Sequence, residues 1–122
     1  MPSQLNNTLT AFTEKLVETP GLIEFNEVIA LIDKFYRYAP VSFVNGELRN
    51  EAGTNEGSCK IFYFAQLNEL TEQQTLSCFG HYYRDDVLKN PDGNDHANIR
   101  NFIKTGWAQL MFDNVALLPT TA

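Results

Sequence analysis

The chain contains no cluster of lysine or arginine. Its nine basic side chains face fifteen acidic ones, for a formal net charge of −6. Both halves are equally acidic: residues 1–61 carry eight acidic and five basic groups, and residues 62–122 carry seven and four. Nucleic-acid binding needs clustered cations to displace counterions from phosphates, so this distribution argues against it. Cysteine is scarce as well. Cys59 and Cys78 are too few for a disulfide scaffold or a cysteine-based zinc site, and a reducing compartment is the simplest reading, although one bridge between them stays open. No apolar run approaches the roughly 20 residues that a membrane-spanning helix requires. The N-terminus lacks the charged and then apolar regions of a Sec signal. There is no GxGxxG, Walker loop, HExxH or GxSxG.

Charge is missing altogether from the first thirteen residues, which are rich in Ser, Thr, Asn and Gln. That composition is compatible with an unfolded polar export leader of the type III kind. The plainer expectation is a helix from about Ser3 to Glu18, with Ser3 as N-cap and Leu5, Leu9, Phe12 and Leu16 on one face. One segment can serve both purposes.

What is present is enough apolar material for a core: 43% hydrophobic residues, with nine Phe, five Tyr and one Trp in 122 residues. This length fits one domain spanning 1–122 better than two. Thr19-Pro20-Gly21 ends the first helix. Asn26 is the expected cap of a second, with Phe25 packing back as a staple and Val28, Ile29, Leu31, Ile32, Phe35 and Tyr36 as its apolar stripe. Asn45-Gly46 between short alternating stretches predicts a type I′ hairpin. A weaker hairpin pattern joins 109–112 to 115–118 through Asp113-Asn114, although Trp107 to Phe112 also fits a continuing helix. The two hairpins are candidates for one small sheet.

Three helical patterns lie between. The first starts at Asn55 or Ser58 and is apolar on more than one face. The second opens with a Thr71/Gln74 capping box and continues to about Leu88, with Gly80 allowing close helix approach. After the Asn90-Pro91-Asp92-Gly93 turn, Asp95 is the expected cap of the third, which Gly106 stops. The predicted class is α+β: a mostly helical domain of about five helices with one or two short hairpins. An all-α bundle is the alternative.

Three residues are candidates for catalysis. Cys59 falls in the first turn of its helix, where the dipole and Lys60 favour a thiolate, and His81 and His96 are the available bases. The plainer reading of Cys59 is a small buried hydrophobe. Cys78 and His81 are helical neighbours, but two ligands do not make a metal site, and His81 with Asp85 reads more simply as a solvated pair. No metal or cofactor is implied.

The densest polar stretch, Asn90 to Arg100, superficially resembles a calcium loop. Counted from Asp92, however, His96 takes the fifth position and Ile103 the twelfth, where a bidentate Glu is needed. As a helix N-terminus, the stretch offers Asp92, Asn94, Asp95, His96, Asn98 and Arg100 as candidate ligand-binding residues for an anion or phosphorylated molecule. The plainer reading is a turn followed by a cap, with Asn98 reinforcing the first helical turn.

Four segments together are familiar: Asn55-Glu-Gly-Ser-Cys-Lys-Ile-Phe62, Cys78-Phe-Gly-His-Tyr-Tyr-Arg-Asp85, Asn90-Pro-Asp-Gly-Asn-Asp-His-Ala-Asn-Ile-Arg-Asn-Phe102 and Thr105-Gly-Trp107. They resemble the HopJ family of small bacterial proteins, and the likeness extends over most of the chain. The resemblance implies a family labelled as type III effectors, hence a bacterial cytoplasmic protein with a link to type III export. It carries over no catalytic residue. The YopJ acetyltransferases, similar in name, use a His-acidic-Cys order that this chain does not show, since Cys59 precedes both histidines. The expected function is a binding or interaction module for a protein or small-molecule partner. A small enzyme with its site around Asp92 to Arg100 and Cys59 is the alternative.

Overall fold

The computed structural model describes residues 4–120, with side chains from Asn6 onward. Helix α1 (Gln4–Glu18) buries Phe12 and Leu16 and packs Leu9 against the core. The Ser3 cap and the Leu5 side chain lie outside the described residues. Pro20–Leu22 forms a single 3-10 turn, as expected where proline and glycine interrupt a helix.

Helix α2 (Phe25–Phe35) is capped by Glu24, not Asn26. The Glu24 backbone N–H donates to the Glu27 carboxylate at 2.8 Å. Arg84 holds the preceding chain by donating to the Ile23 carbonyl at 2.7 Å and the Glu24 carboxylate at 2.9 Å. These contacts start the helix early and place Phe25 inside it. Strand β1 (Tyr36–Tyr38) follows without a loop.

Strands β2 (Phe43–Asn45) and β3 (Leu48–Asn50) form the anticipated hairpin, but its register pairs Asn45 with Leu48. The two turn residues are therefore Gly46 and Glu47. Only Gly46 has positive φ, at +63°, which is the type II′ pattern instead of I′. This one-residue difference leaves Asn45 in the strand, on the buried side with Phe43.

The second predicted hairpin does not form. After a 3-10 turn at Trp107–Gln109, strand β4 (Leu110–Phe112) pairs antiparallel with β2, giving the order β3-β2-β4. Strand β5 (Leu117–Pro119) pairs with β1 in a separate two-stranded sheet. The reason is burial. Phe112 meets Phe43 and Tyr63 at 5.5 and 4.9 Å between ring centroids, and Leu117 is buried beyond β1. Two different apolar destinations pull the ends of this segment apart.

Helix α3 (Glu56–Leu67) runs through the centre, with Cys59, Ile61, Phe62, Phe64 and Ala65 buried. Phe62 packs against Phe102, Phe79 and Phe43 at centroid distances of 4.9, 5.3 and 6.3 Å. Helix α4 (Glu72–Ser77) has the predicted capping box. Gln74 N–H donates to the Thr71 hydroxyl at 3.0 Å, and the Thr71 N–H donates to the Gln74 side chain at 2.9 Å.

The helix expected to continue to Leu88 is broken. Gly80 turns with φ +59°, and a π-helical turn follows over Tyr82–Val87, marked by the Leu88 N–H donating to the Tyr83 carbonyl five residues back. Helix α5 (Ala97–Thr105) ends at Gly106 as anticipated, but its N-cap is His96, not Asp95. The described residues thus form a mostly helical α+β fold with one contiguous apolar core. No helix among them is long and apolar enough to cross a membrane.

Candidate functional site

Two helices begin at the same place. Asn55 caps α3 and His96 caps α5, both in the left-handed region, with φ/ψ of 50°/46° and 50°/49°. This conformation is unusual without glycine. Neither cap side chain bonds to its own helix, so the first-turn amides of both helices lack an intrahelical acceptor. Between the two termini lies a cleft of about 480 Å³. Gly57, Ser58, Ala97 and Asn98 contribute its polar edge, while Phe25, Phe79 and Tyr82 form an aromatic wall. Its lining includes no Lys, Arg, Asp or Glu. Gly57 is needed here, because a Cβ would stand 2.8 Å from the Phe25 ring.

A buried group of asparagines fixes the two caps. Asn98 accepts from Asn45 at 3.0 Å and Asn50 at 3.1 Å, and donates to the Asn50 side-chain oxygen at 2.9 Å. That same Asn50 oxygen accepts from Asn55 at 2.6 Å. Asn45 also donates to the Asn98 backbone carbonyl at 2.8 Å, and Asn101 donates to the Asn45 carbonyl at 3.1 Å. The relay Asn98–Asn50–Asn55 therefore ties the start of α5, through the end of β3, to the cap of α3. The sequence placed Asn45 in a turn and Asn55 at a helix start but did not reveal this cluster. Of the two readings of Asn98, the helix-reinforcing one fails, because its side chain reaches inward to Asn45 and Asn50.

The six loop candidates divide. His96 and Asn98 line the cleft. The His96 ring packs on Tyr82 with centroids 5.2 Å apart, and its Nε2 lies 3.0 Å from the Asp86 carboxylate. Arg100 and Asp95 are engaged with the loop itself: the guanidinium donates to the Asp95 carboxylate and carbonyl, both at 2.6 Å, and to the Asn90 carbonyl at 2.8 Å. That ion pair holds the exposed Asp95 carboxyl below the usual range. Asp92 and Asn94 are exposed and do not line the cleft.

The remaining candidates lie elsewhere. His81 is exposed and faces Glu24 at 3.5 Å instead of Asp85, which pairs with Lys89. Helix α4 ends at Ser77 and the chain turns at Gly80 before His81, so Cys78 and His81 are not neighbours on one regular helix. Cys59 is buried, and desolvation pushes its thiol up to about 11 despite Lys60. Burial likewise pushes Cys78 up to about 12. Both thiols are therefore protonated at neutral pH, and neither lines the cleft. Lys60 is occupied by Asp33 at 2.8 Å. The helix-dipole argument for a Cys59 thiolate yields to desolvation, the larger effect.

The fold and its cleft define a small α+β domain that presents two helix starts and an aromatic wall to a shared opening. Within that class, the chain belongs to the HopJ family: the family model described as HopJ type III effector protein matches residues 9–117. It is also similar to the crystal structure of VPA0580, a protein of unknown function. The two share 46% sequence identity with a TM-score of 0.90, over 92% of this chain and 93% of that one. No curated protein matches it.

Proposed function

We propose that this HopJ-family chain is a single-domain binding module whose cleft takes a small molecule with a flat apolar body and a monoanionic head. The convergence of two helix starts without side-chain cap bonds on an aromatic-walled cleft carries this reading. Each helix N-terminus contributes about half a positive charge, so two together suit one negative charge. With no Lys or Arg in the lining, a carboxylate fits better than a doubly charged phosphate. Tyr82 and Phe25 offer faces and edges for a ring. His96 and Asn98 are the proposed contact residues among the loop candidates, and Asp95 and Arg100 shape the loop behind them. The enzyme alternative loses its candidate nucleophile, since Cys59 is buried away from the cleft.

Amide NMR titration with benzoate, benzamide and inorganic phosphate tests this. Benzoate is expected to shift the Gly57, Ser58, Ala97 and Asn98 amides with a Kd on the order of 1 mM, as suits a fragment. Benzamide and phosphate should bind more weakly. Tyr82→Ala should weaken benzoate about three- to tenfold, the loss of one ring contact. If none of the three perturbs those amides, the reading fails.

Family membership links the chain to type III secretion. We infer residence in the bacterial cytoplasm before export, with the uncharged first thirteen residues as the export signal. A translocation reporter fused to residues 1–25 should leave the bacterium through a type III apparatus; retention in strains with an active apparatus refutes the export half.

A further inference from the structure

We propose that Asn90–His96 is a strap at the rim of the cleft, held by the Arg100 clasp and ending on the His96 wall, and that its release swings that wall aside to admit the ligand and its return restores it. This inference rests on the cleft being the binding site. The strap carries almost no packing of its own. Every residue from Leu88 to Asp95 is exposed, so no apolar side chain anchors this stretch in the core. Segments with few buried contacts open at low free energy while the rest of the fold stays intact.

The main clasp on the strap is one side chain, helped at its two ends by the Asn90 amide donating to the Asp86 carbonyl at 3.1 Å and by His96 beside the Asp86 carboxylate at 3.0 Å. Arg100 projects from α5 with only 12% of its side chain exposed. It gathers Asn90 at the start of the strap and Asp95 near its end. Gly93, between them, lies so close that a Cβ would stand 2.7 Å from the Arg100 Nη2. The strap ends on His96, whose ring forms a side of the cleft and whose left-handed backbone carries a conformational cost. Lifting the strap would draw His96 away from Tyr82 and Asp86 and widen the opening. The clasp and the wall are thus one continuous device.

Limited trypsin digestion of the full chain, followed at the Lys89–Asn90 bond, tests the clasp. Arg100→Gln and Gly93→Ala should each be cut about tenfold faster than wild type, because cleavage tracks the population of the locally open form. Asp92→Asn, outside the clasp, should match wild type. Equal rates in all four proteins would overturn the clasp. Saturating benzoate should slow cleavage of wild type at Lys89. Benzoate that binds by NMR without slowing this cut would overturn the gate and leave the cleft reading intact. No benzoate binding at all would remove the cleft reading and the gate with it, while the digestion of the variants still judges the clasp.

Discussion

Asn98→Ala should destabilise the domain by about 3 kcal/mol, a large part of the 5–15 kcal/mol a domain of this kind possesses. The substitution removes three buried side-chain bonds, one accepted from Asn45, one accepted from Asn50 and one donated to Asn50. More costly than the lost bonds is what remains. The Asn50 amide group keeps no acceptor in the cluster, and a buried donor without a partner costs about 1–3 kcal/mol by itself. Urea unfolding at pH 7 measures the effect, and a loss below about 1 kcal/mol would show that water replaces the network without penalty. The double variant Asn50→Ala/Asn98→Ala should cost less than the two singles together, because each single strands a group that the other removes.

Asn98→Asp sharpens the same point. It keeps the shape but points a buried carboxylate at the Asn50 oxygen, so burial raises its folded pKa above the unfolded value near 3.9. A carboxyl raised in this way supports the fold below its unfolded pKa and ceases to as pH rises through the folded one. The aspartate variant should therefore gain on the alanine variant as pH falls from 7 to 4.

Asparagine usually signals turns and caps, and Asn45-Gly46 is a strong turn dipeptide. Register decided otherwise: with Gly46 and Glu47 as the turn, strand alternation puts Asn45 beside Phe43 on the buried face. That alternation was available in Phe43-Val44-Asn45. Its partner was not, because Asn98 lies 53 residues away. Local signals fared well where the physics is local. The Thr71/Gln74 box, the Pro20 break, the Gly106 stop and the buried character of α3 all depend on neighbours within a turn or two. The failures are tertiary. Asp95 would cap α5 by local preference, but Arg100 holds its carboxylate, and the cap falls to His96. The cleft itself needs the starts of α3 and α5 to meet, and no periodicity in either stretch encodes that meeting. The resemblance identified the family, and the geometry located the cleft within it.

Gly80→Ala should be the most damaging single methyl in the chain, at about 2–4 kcal/mol, combining backbone strain with a steric conflict. Gly80 has φ +59°, where a side chain carries a conformational penalty. Its environment is the larger problem. A Cβ would stand 2.6 Å from the Phe25 backbone nitrogen and 3.1 Å from the Glu24 Cα. Those are main-chain atoms at the start of α2, held in turn by Arg84, so no flexible side chain can move aside. Relief requires displacing either α2 or the π-helical turn that carries Tyr82. Both border the cleft: Phe25 and Tyr82 meet edge to face at 5.1 Å. The variant should thus lose benzoate affinity as well as stability, whereas Gly21→Ala, which meets nothing within 4 Å, should change neither. Thermal unfolding with and without benzoate separates these effects. If Gly80→Ala unfolds at the wild-type temperature, the close approach of α2 to Gly80 is wrong. If it is destabilised but binds benzoate normally, Phe25 and Tyr82 do not depend on Gly80 for their placement.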